Sequence, residues 1–296
     1  MARRSARLRS PLGFGLGMSA AALIVATAAI VLGLQVPEPP LPPAAHRSLY
    51  EARLTAPAAH LAQANAARRG PMVAIVIDDL GINVAMTRKA IALPPTVTLA
   101  FLPYATATPA LAREAAEAGH TILVHVPMEA VGPQDPGPMA LRIGLPPSEN
   151  LRRLTWDLER VPGFSGINNH EGSKFTADDQ ALASLMPMLA ARHIFFFDSR
   201  TTADTKVVAV ARAHGVLSAE RDVFLDDVPT ADEIKAQLAA LEARARANGI
   251  AIAIGHPNPA TLNAVAAWTN RETGFEQIPL ERALEAKTRS LSLARR

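Results

Sequence analysis

Met72-Val73-Ala74-Ile75-Val76-Ile77 runs straight into Asp78-Asp79. Six apolar residues without a polar interruption read as a strand covered on both faces, because a half-exposed strand would alternate. Two adjacent carboxylates at its end mark where the chain leaves the sheet.

The pattern repeats along the chain. A helical stretch near Val84–Ala92 leads to a strand over Val97–Phe101, and Pro109–Ala118 to a strand over Thr121–Val124 that ends at His125. Ser148 is placed to cap a helix running to Arg160, and Thr176 one running to Ala191. Phe164–Ile167, Ile194–Phe197 and Ile250–Ile254 read as further strands, with short candidates at Gly215–Leu217 and Phe275–Ile278. Thr230 caps a helix to Ala247. Such alternation predicts a parallel α/β sheet, open or closed as a barrel, with its active edge at the strands' carboxyl ends.

The flanks differ in kind. Gly13–Leu34 is uncharged, and Arg3, Arg4, Arg7 and Arg9 precede it. As a helix it would span about 33 Å, the thickness of a bilayer core. The arginines place the N-terminus in the cytoplasm and the body outside, so residues 1–35 read as a transmembrane signal anchor. Cleavage as a signal peptide is the alternative. Residues 36–70, rich in Pro and Ala, read as a linker or stalk, residues 71–285 as the catalytic domain and residues 286–296 as a basic tail.

Without the four N-terminal arginines, 26 of the 30 basic residues remain against 27 acidic ones, so the body has no polyanion-binding charge. Aromatics at 4% argue against a base-stacking surface. No phosphate loop occurs in the body, and no Gly-x-Ser-x-Gly. Nucleic-acid, nucleotide and serine-hydrolase readings therefore fall away. The absence of cysteine removes disulfides and thiolate metal sites.

Asp78-Asp79, His125, Asn168-Asn169-His170, Asp198-Ser199-Arg200 and His256 remain, all at strand ends converging on one rim. Burying so many ionisable groups together is costly unless they pair or bind a cation. Asp79 with two histidines supplies three ligands for zinc and leaves a position open for water. Asp78 could take the water's proton, and His256 could protonate a leaving amine.

Ile77-Asp78-Asp79, Gly119–His125, Phe197–Arg200 and Ile254–Pro257 resemble motifs of the polysaccharide deacetylase superfamily. His125-Val126-Pro127-Met128-Glu129 and Asn168–Ser173 resemble its divergent, exported bacterial branch. The resemblance spans roughly Pro71–Leu280. It implies a distorted (β/α) barrel of about seven parallel strands and a metal-dependent hydrolase that removes acetyl groups from an envelope or extracellular polysaccharide. The implied roles are Asp78 as base, His256 as acid, and Asp79 and His125 as ligands of a divalent metal, zinc by preference. The superfamily's second histidine is replaced by Glu129. The third ligand is then His170, with Glu129 as the alternative. Asn169, Ser173, Asp198 and Arg200 are the candidate substrate contacts. A domain that keeps the fold and binds glycan or an envelope partner without turnover is the competing expectation. The implied location is the periplasmic side of a bacterial inner membrane, or outside the cell if the anchor is cut.

Overall fold

The computed structural model describes residues 70–271 and 274–293. The expected anchor and stalk lie outside these residues. Among the described residues, no helix is long and apolar enough to cross a membrane.

The first strand, β1, is Met72–Leu80, and α1 (Val84–Ile91), β2 (Thr98–Phe101), α2 (Thr108–Glu117) and β3 (Ile122–Met128) follow it. Then come α3 (Pro147–Arg160), β4 (Phe164–Glu171), α4 (Asp179–Ala191), β5 (Phe195–Asp198), α5 (Val207–Ala213) and β6 (Ser218–Glu220). The chain ends with β7 (Val223–Phe224), α6 (Ala231–Asn248), β8 (Ile250–Gly255), α7 (Pro259–Thr269), β9 (Glu276–Gln277) and α8 (Leu280–Leu293). All strand pairings are parallel. The order is β6-β5-β4-β3-β2-β1-β8-β7, with β9 beside β1. The two edge strands, β6 and β7, are consecutive in the chain and separated only by Arg221-Asp222. The sheet is therefore a curled half-barrel whose edges approach each other at one seam.

Its two faces divide the strand residues by parity. Val73, Ile75 and Ile77 of β1 join Val124, Val126 and Phe196 in the larger core, under the helices that flank the sheet. Ala74 and Val76 join Leu123, Phe195, Phe197, Ile252 and Ile254 in the curl's interior. That interior is closed by α8, whose Leu280, Ala283, Leu284 and Ala286 belong to the same cluster. The segment expected to be a basic tail therefore continues a packed helix. Lys287 pairs there with Asp222 at 2.6 Å. The interior is crowded: Phe195 lies over Gly166 so closely that a Cβ there would come within 2.3 Å of its ring.

Several boundaries move. Among the described residues nine strands form where about seven were expected, because β6 and β7 have three and two residues and β7 was not anticipated. Residues 215–217 precede β6 rather than forming it. Ser148 lies inside the first turn of α3, which Pro146 caps without a side-chain hydrogen bond. The cap of α4 is Asp178, accepting from the Ala181 N–H, while the Thr176 hydroxyl donates to the Gly172 carbonyl. Thr230 does cap α6.

Candidate metal centre

Strand parity explains most of the site. Asp78, His125, Asn168 and His256 lie two residues beyond interior positions on β1, β3, β4 and β8, so they continue the inner face past the apolar core. Asp79 is the exception, since a neighbour of Asp78 should point outward. The β1–β2 register shifts between Ile77 and Leu80, and Asp79 adopts the left-handed conformation (φ 56°). This bulge brings both carboxylates to His125 Nε2, Asp78 Oδ2 at 3.7 Å and Asp79 Oδ1 at 3.3 Å. A non-glycine residue held in this region carries strain and is commonly found at functional sites.

His170 enters from β4, one strand beyond His125. Its Nδ1 lies 3.0 Å from Asp79 Oδ1 and 3.3 Å from His125 Nε2. The three atoms lie within 4.8 Å of one another, a grouping able to hold a metal ion. Asp79 Oδ1 is buried and accepts no hydrogen bond of good geometry. A buried carboxylate oxygen without a donor, faced by two imidazole nitrogens, fits a cation well, since nitrogen and oxygen donors of this kind suit zinc.

Asn168 sets the orientation of the group. Its amide nitrogen donates to both oxygens of Asp78, at 2.9 and 3.0 Å, and to Ser199 Oγ at 3.1 Å. Its oxygen must then face His125 Nδ1, 2.9 Å away, and accept that proton. In the neutral ring this leaves Nε2, turned to the centre, as the nitrogen free to act as a ligand.

The electrostatics divide the two carboxyls. Burial pushes Asp78 above the usual carboxylate range, reinforced by Asp79 and opposed by His125, His256 and the Asn168 hydrogen bond. Burial also opposes ionisation of Asp79, but His125 and His170 outweigh it and hold that carboxyl far below normal. His125 is itself raised: burial disfavours the imidazolium, and the charges of Asp78 and Asp79 overcome it. The negative potential that favours a proton on His125 would equally hold a cation.

His256 faces the group from β8, with Nε2 3.9 Å from Asp79 Oδ2. Burial would lower its pKa, but its contacts with Asp226, Asp78 and Asp79 carry it up to about 9. Asp226, absent from the sequence reading, supplies the largest of those contacts. Its own carboxyl, buried but bonded to His256 and Thr261, is held below the usual range. The signal was available: Asp226 ends the apolar run Val223-Phe224-Leu225 as Asp78 ends that of β1.

The other predicted residues serve neighbouring structure. Glu129 is turned to Lys174 (2.7 Å) and the Ile143 N–H (2.9 Å), and lies outside the metal-holding group. Its ion pair is with Lys174. Arg200 lies 3.8 Å from Glu220. Asn169 accepts from the Ser199 N–H and donates to the Glu171 carbonyl. Ser173 accepts from the Val131 N–H. Asp198 accepts from the Arg200 N–H and the Thr205 hydroxyl. These four shape the loops of the rim. His120 is buried, with its ring nitrogens on the Val97 and Ile91 carbonyls.

Comparison with known proteins gives the family. Residues 75–284 match the family model described as divergent polysaccharide deacetylase, and the chain belongs to that family. An uncharacterized protein of Haemophilus influenzae is 36% identical over 195 residues, covering 66% of this chain and 70% of the relative. The protein YibQ of Escherichia coli is 35% identical over 193 residues, covering 65% of this chain and 60% of the relative. This chain thus matches only part of each curated relative's length. A crystal structure of protein ATU2773 from Agrobacterium tumefaciens superposes with a TM-score of 0.69 at 32% identity, covering 72% of this chain and 88% of that one.

Proposed function

We propose that this chain is a metal-dependent hydrolase that removes acetyl groups from a cell-envelope or extracellular polysaccharide. The observation carrying this reading is the convergence of Asp79, His125 and His170 on one point, with Asp78 and His256 beside it. Asp79 Oδ1, His125 Nε2 and His170 Nδ1 would hold a divalent ion, zinc by donor type. When bound, the ion supplies Lewis acidity toward the acetyl carbonyl and toward water.

The remaining work falls to side chains. Asp78, made more basic by burial and oriented by Asn168, takes the proton of the attacking water. His256, kept protonated by Asp226, gives a proton from Nε2 to the departing amine or hydroxyl. The left-handed turn at Asp79 separates the roles, leaving one carboxylate to bind and the other to accept the proton. The same reading places the domain in the periplasm, tethered at a bacterial inner membrane by Gly13–Leu34, or secreted if that segment is cut. Its support is the uncharged run behind four arginines.

A second reading has a specific observation behind it. Asp78 is held by the neutral amide of Asn168, and Glu129 stands where the superfamily has its second histidine. A domain that binds glycan without turnover would tolerate both.

The test is metal content of the purified protein beside Asp79→Ala, His125→Ala, His170→Ala and Glu129→Ala, followed by acetate release from acetylated glycans. Near-stoichiometric zinc, lost in the first three variants and kept in the fourth, is expected, with acetate release abolished in Asp78→Asn. A zinc-loaded wild type no more active than Asp78→Asn on every glycan would leave the binding reading standing.

A further inference from the structure

Beside His256 lies a cavity of about 400 Å³ at the seam between β6 and β7. That volume is in the range of pockets that take small ligands. Phe224 forms the partition: its ring meets the His256 ring edge-on, with centroids 5.2 Å apart, and also lines the cavity. Asp226 and Asp227 divide in the same way, the first holding His256 and the second lining the cavity.

The cavity's charge is unbalanced. Arg221 is fixed over the Phe224 ring at 4.6 Å, with Nε donating to the Ser199 carbonyl and Nη2 to the Arg200 carbonyl. Both acceptors are neutral. No carboxylate among the described residues lies within ion-pair distance of this guanidinium. Burial and the neighbouring Arg200 push the pKa of Arg221 down, and Asp198, Asp78 and Asp227 oppose this only from beyond ion-pair distance. Arg244 lines the same cavity from an exposed position on α6, one turn or two from Gln237 and Ala240, and it too has no acidic partner among the described residues. Asp222 is neutralised by Lys287 at 2.6 Å. Asp227 is the one remaining acid of the lining, placed beside the His256 partition.

We propose that this cavity is a second carbohydrate subsite, which receives the sugar next to the acetylated one and grips a carboxylate on it through Arg221 and Arg244. The inference rests on the deacetylase reading for its polymer but on the cavity for its chemistry. A guanidinium presents parallel N–H donors that match a carboxylate's two oxygens. The Phe224 ring offers an apolar surface for a sugar's C–H face, and Gln237 and Asp227 offer partners for hydroxyls. A glycan reacting at His256 would pass over Phe224 into the seam.

The experiment is calorimetric titration of the zinc-supplemented full chain with two tetrasaccharides. One alternates N-acetylglucosamine with glucuronate, and the other is N-acetylglucosamine throughout. The uronate-containing probe should bind about tenfold more tightly, and Arg244→Ala should erase that preference while leaving the neutral probe's affinity unchanged. Arg244 is exposed and unpaired, so this variant should fold. Equal affinities, no binding of either probe at millimolar concentration, or a preference that survives in Arg244→Ala would each overturn the subsite. Turnover fails independently. A wild type that shows the Arg244-dependent preference but releases no acetate keeps the subsite and loses the deacetylase reading. Acetate release without the preference does the reverse.

Discussion

Asp226 holds His256 at two points: Oδ1 lies 3.0 Å from Nδ1, and Oδ2 accepts the His256 main-chain N–H at 2.7 Å. Thr261 and Asn258 also donate to Oδ2, at 2.7 and 2.9 Å. The imidazole is thus fixed in rotation and in tautomer, with Nε2 toward the metal-holding group.

Asp226 is what raises His256 most, so Asp226→Asn should lower the pKa at which His256 loses its proton. Acetate release by the wild type should fall along an alkaline limb near pH 9, and the limb should move to lower pH in the variant. A limb that stays in place would mean that another group supplies the leaving-group proton. The stability linkage has the same sign. His256 has a folded pKa above its unfolded value, so its contribution is complete below about pH 6.5 and lost as pH rises through about 9.

Asn168→Leu should reduce kcat roughly a hundredfold, since it frees Asp78 and leaves His125 without its tautomer-fixing acceptor. Zinc affinity should drop as well, by about tenfold or more. Single-turnover kinetics beside a zinc competition assay would read both effects, and an unchanged affinity would show that His125 is oriented without Asn168.

Glu129→Gln should keep its metal. It weakens a partly exposed ion pair with Lys174, so it should cost no more than about 1 kcal/mol in a denaturant melt. Loss of metal in this variant would restore Glu129 as a ligand.

Asp157 on α3 is fully buried, and neither of its oxygens has a hydrogen-bond partner. Burial pushes its pKa up to about 8, opposed only by Arg153. Arg153 is itself bonded to Glu149 and to the Ala140 carbonyl. The folded protein therefore keeps a proton that the unfolded chain releases near pH 4, and stability should decline as pH rises from about 4 to 8. Asp157→Asn should raise Tm at pH 8 by several degrees and have little effect at pH 4. Equal gains at both values would show that Asp157 ionises freely.

The sequence revealed elements where burial leaves a continuous signal. Strands β1 and β8, covered on both faces, cannot afford a polar residue before their ends, so their apolar runs mark them. The two-residue β7 leaves only the three-residue run Val223–Leu225, too short to mark a strand except through the Asp226 that ends it. The tail was expected to begin at residue 286, because Lys287 and Arg289 follow there in a basic stretch, yet helix α8 runs on to Leu293 and packs through Leu280, Ala283, Leu284 and Ala286. The polar ends of the apolar runs brought Asp78, Asp79, His125 and His256 into view. They did not show how Asp79, next to Asp78, turns to the same centre, because that depends on a backbone turn that no residue type announces. Asn168 was visible at its strand end, but its bridging role exists only once β1, β3 and β4 lie side by side.

The pairing of β1 with β8 has a consequence for biogenesis. Met72 lies beside Ile250, a separation of roughly 180 residues, and α8 must still seat itself beneath both. As the domain emerges from a ribosome or a translocation pore, the apolar run of β1 leaves before the other strands and waits for nearly the whole domain before its β8 edge is covered. Folding should be slow and post-synthetic. During that interval an uncovered β1 edge is a ready template for aggregation.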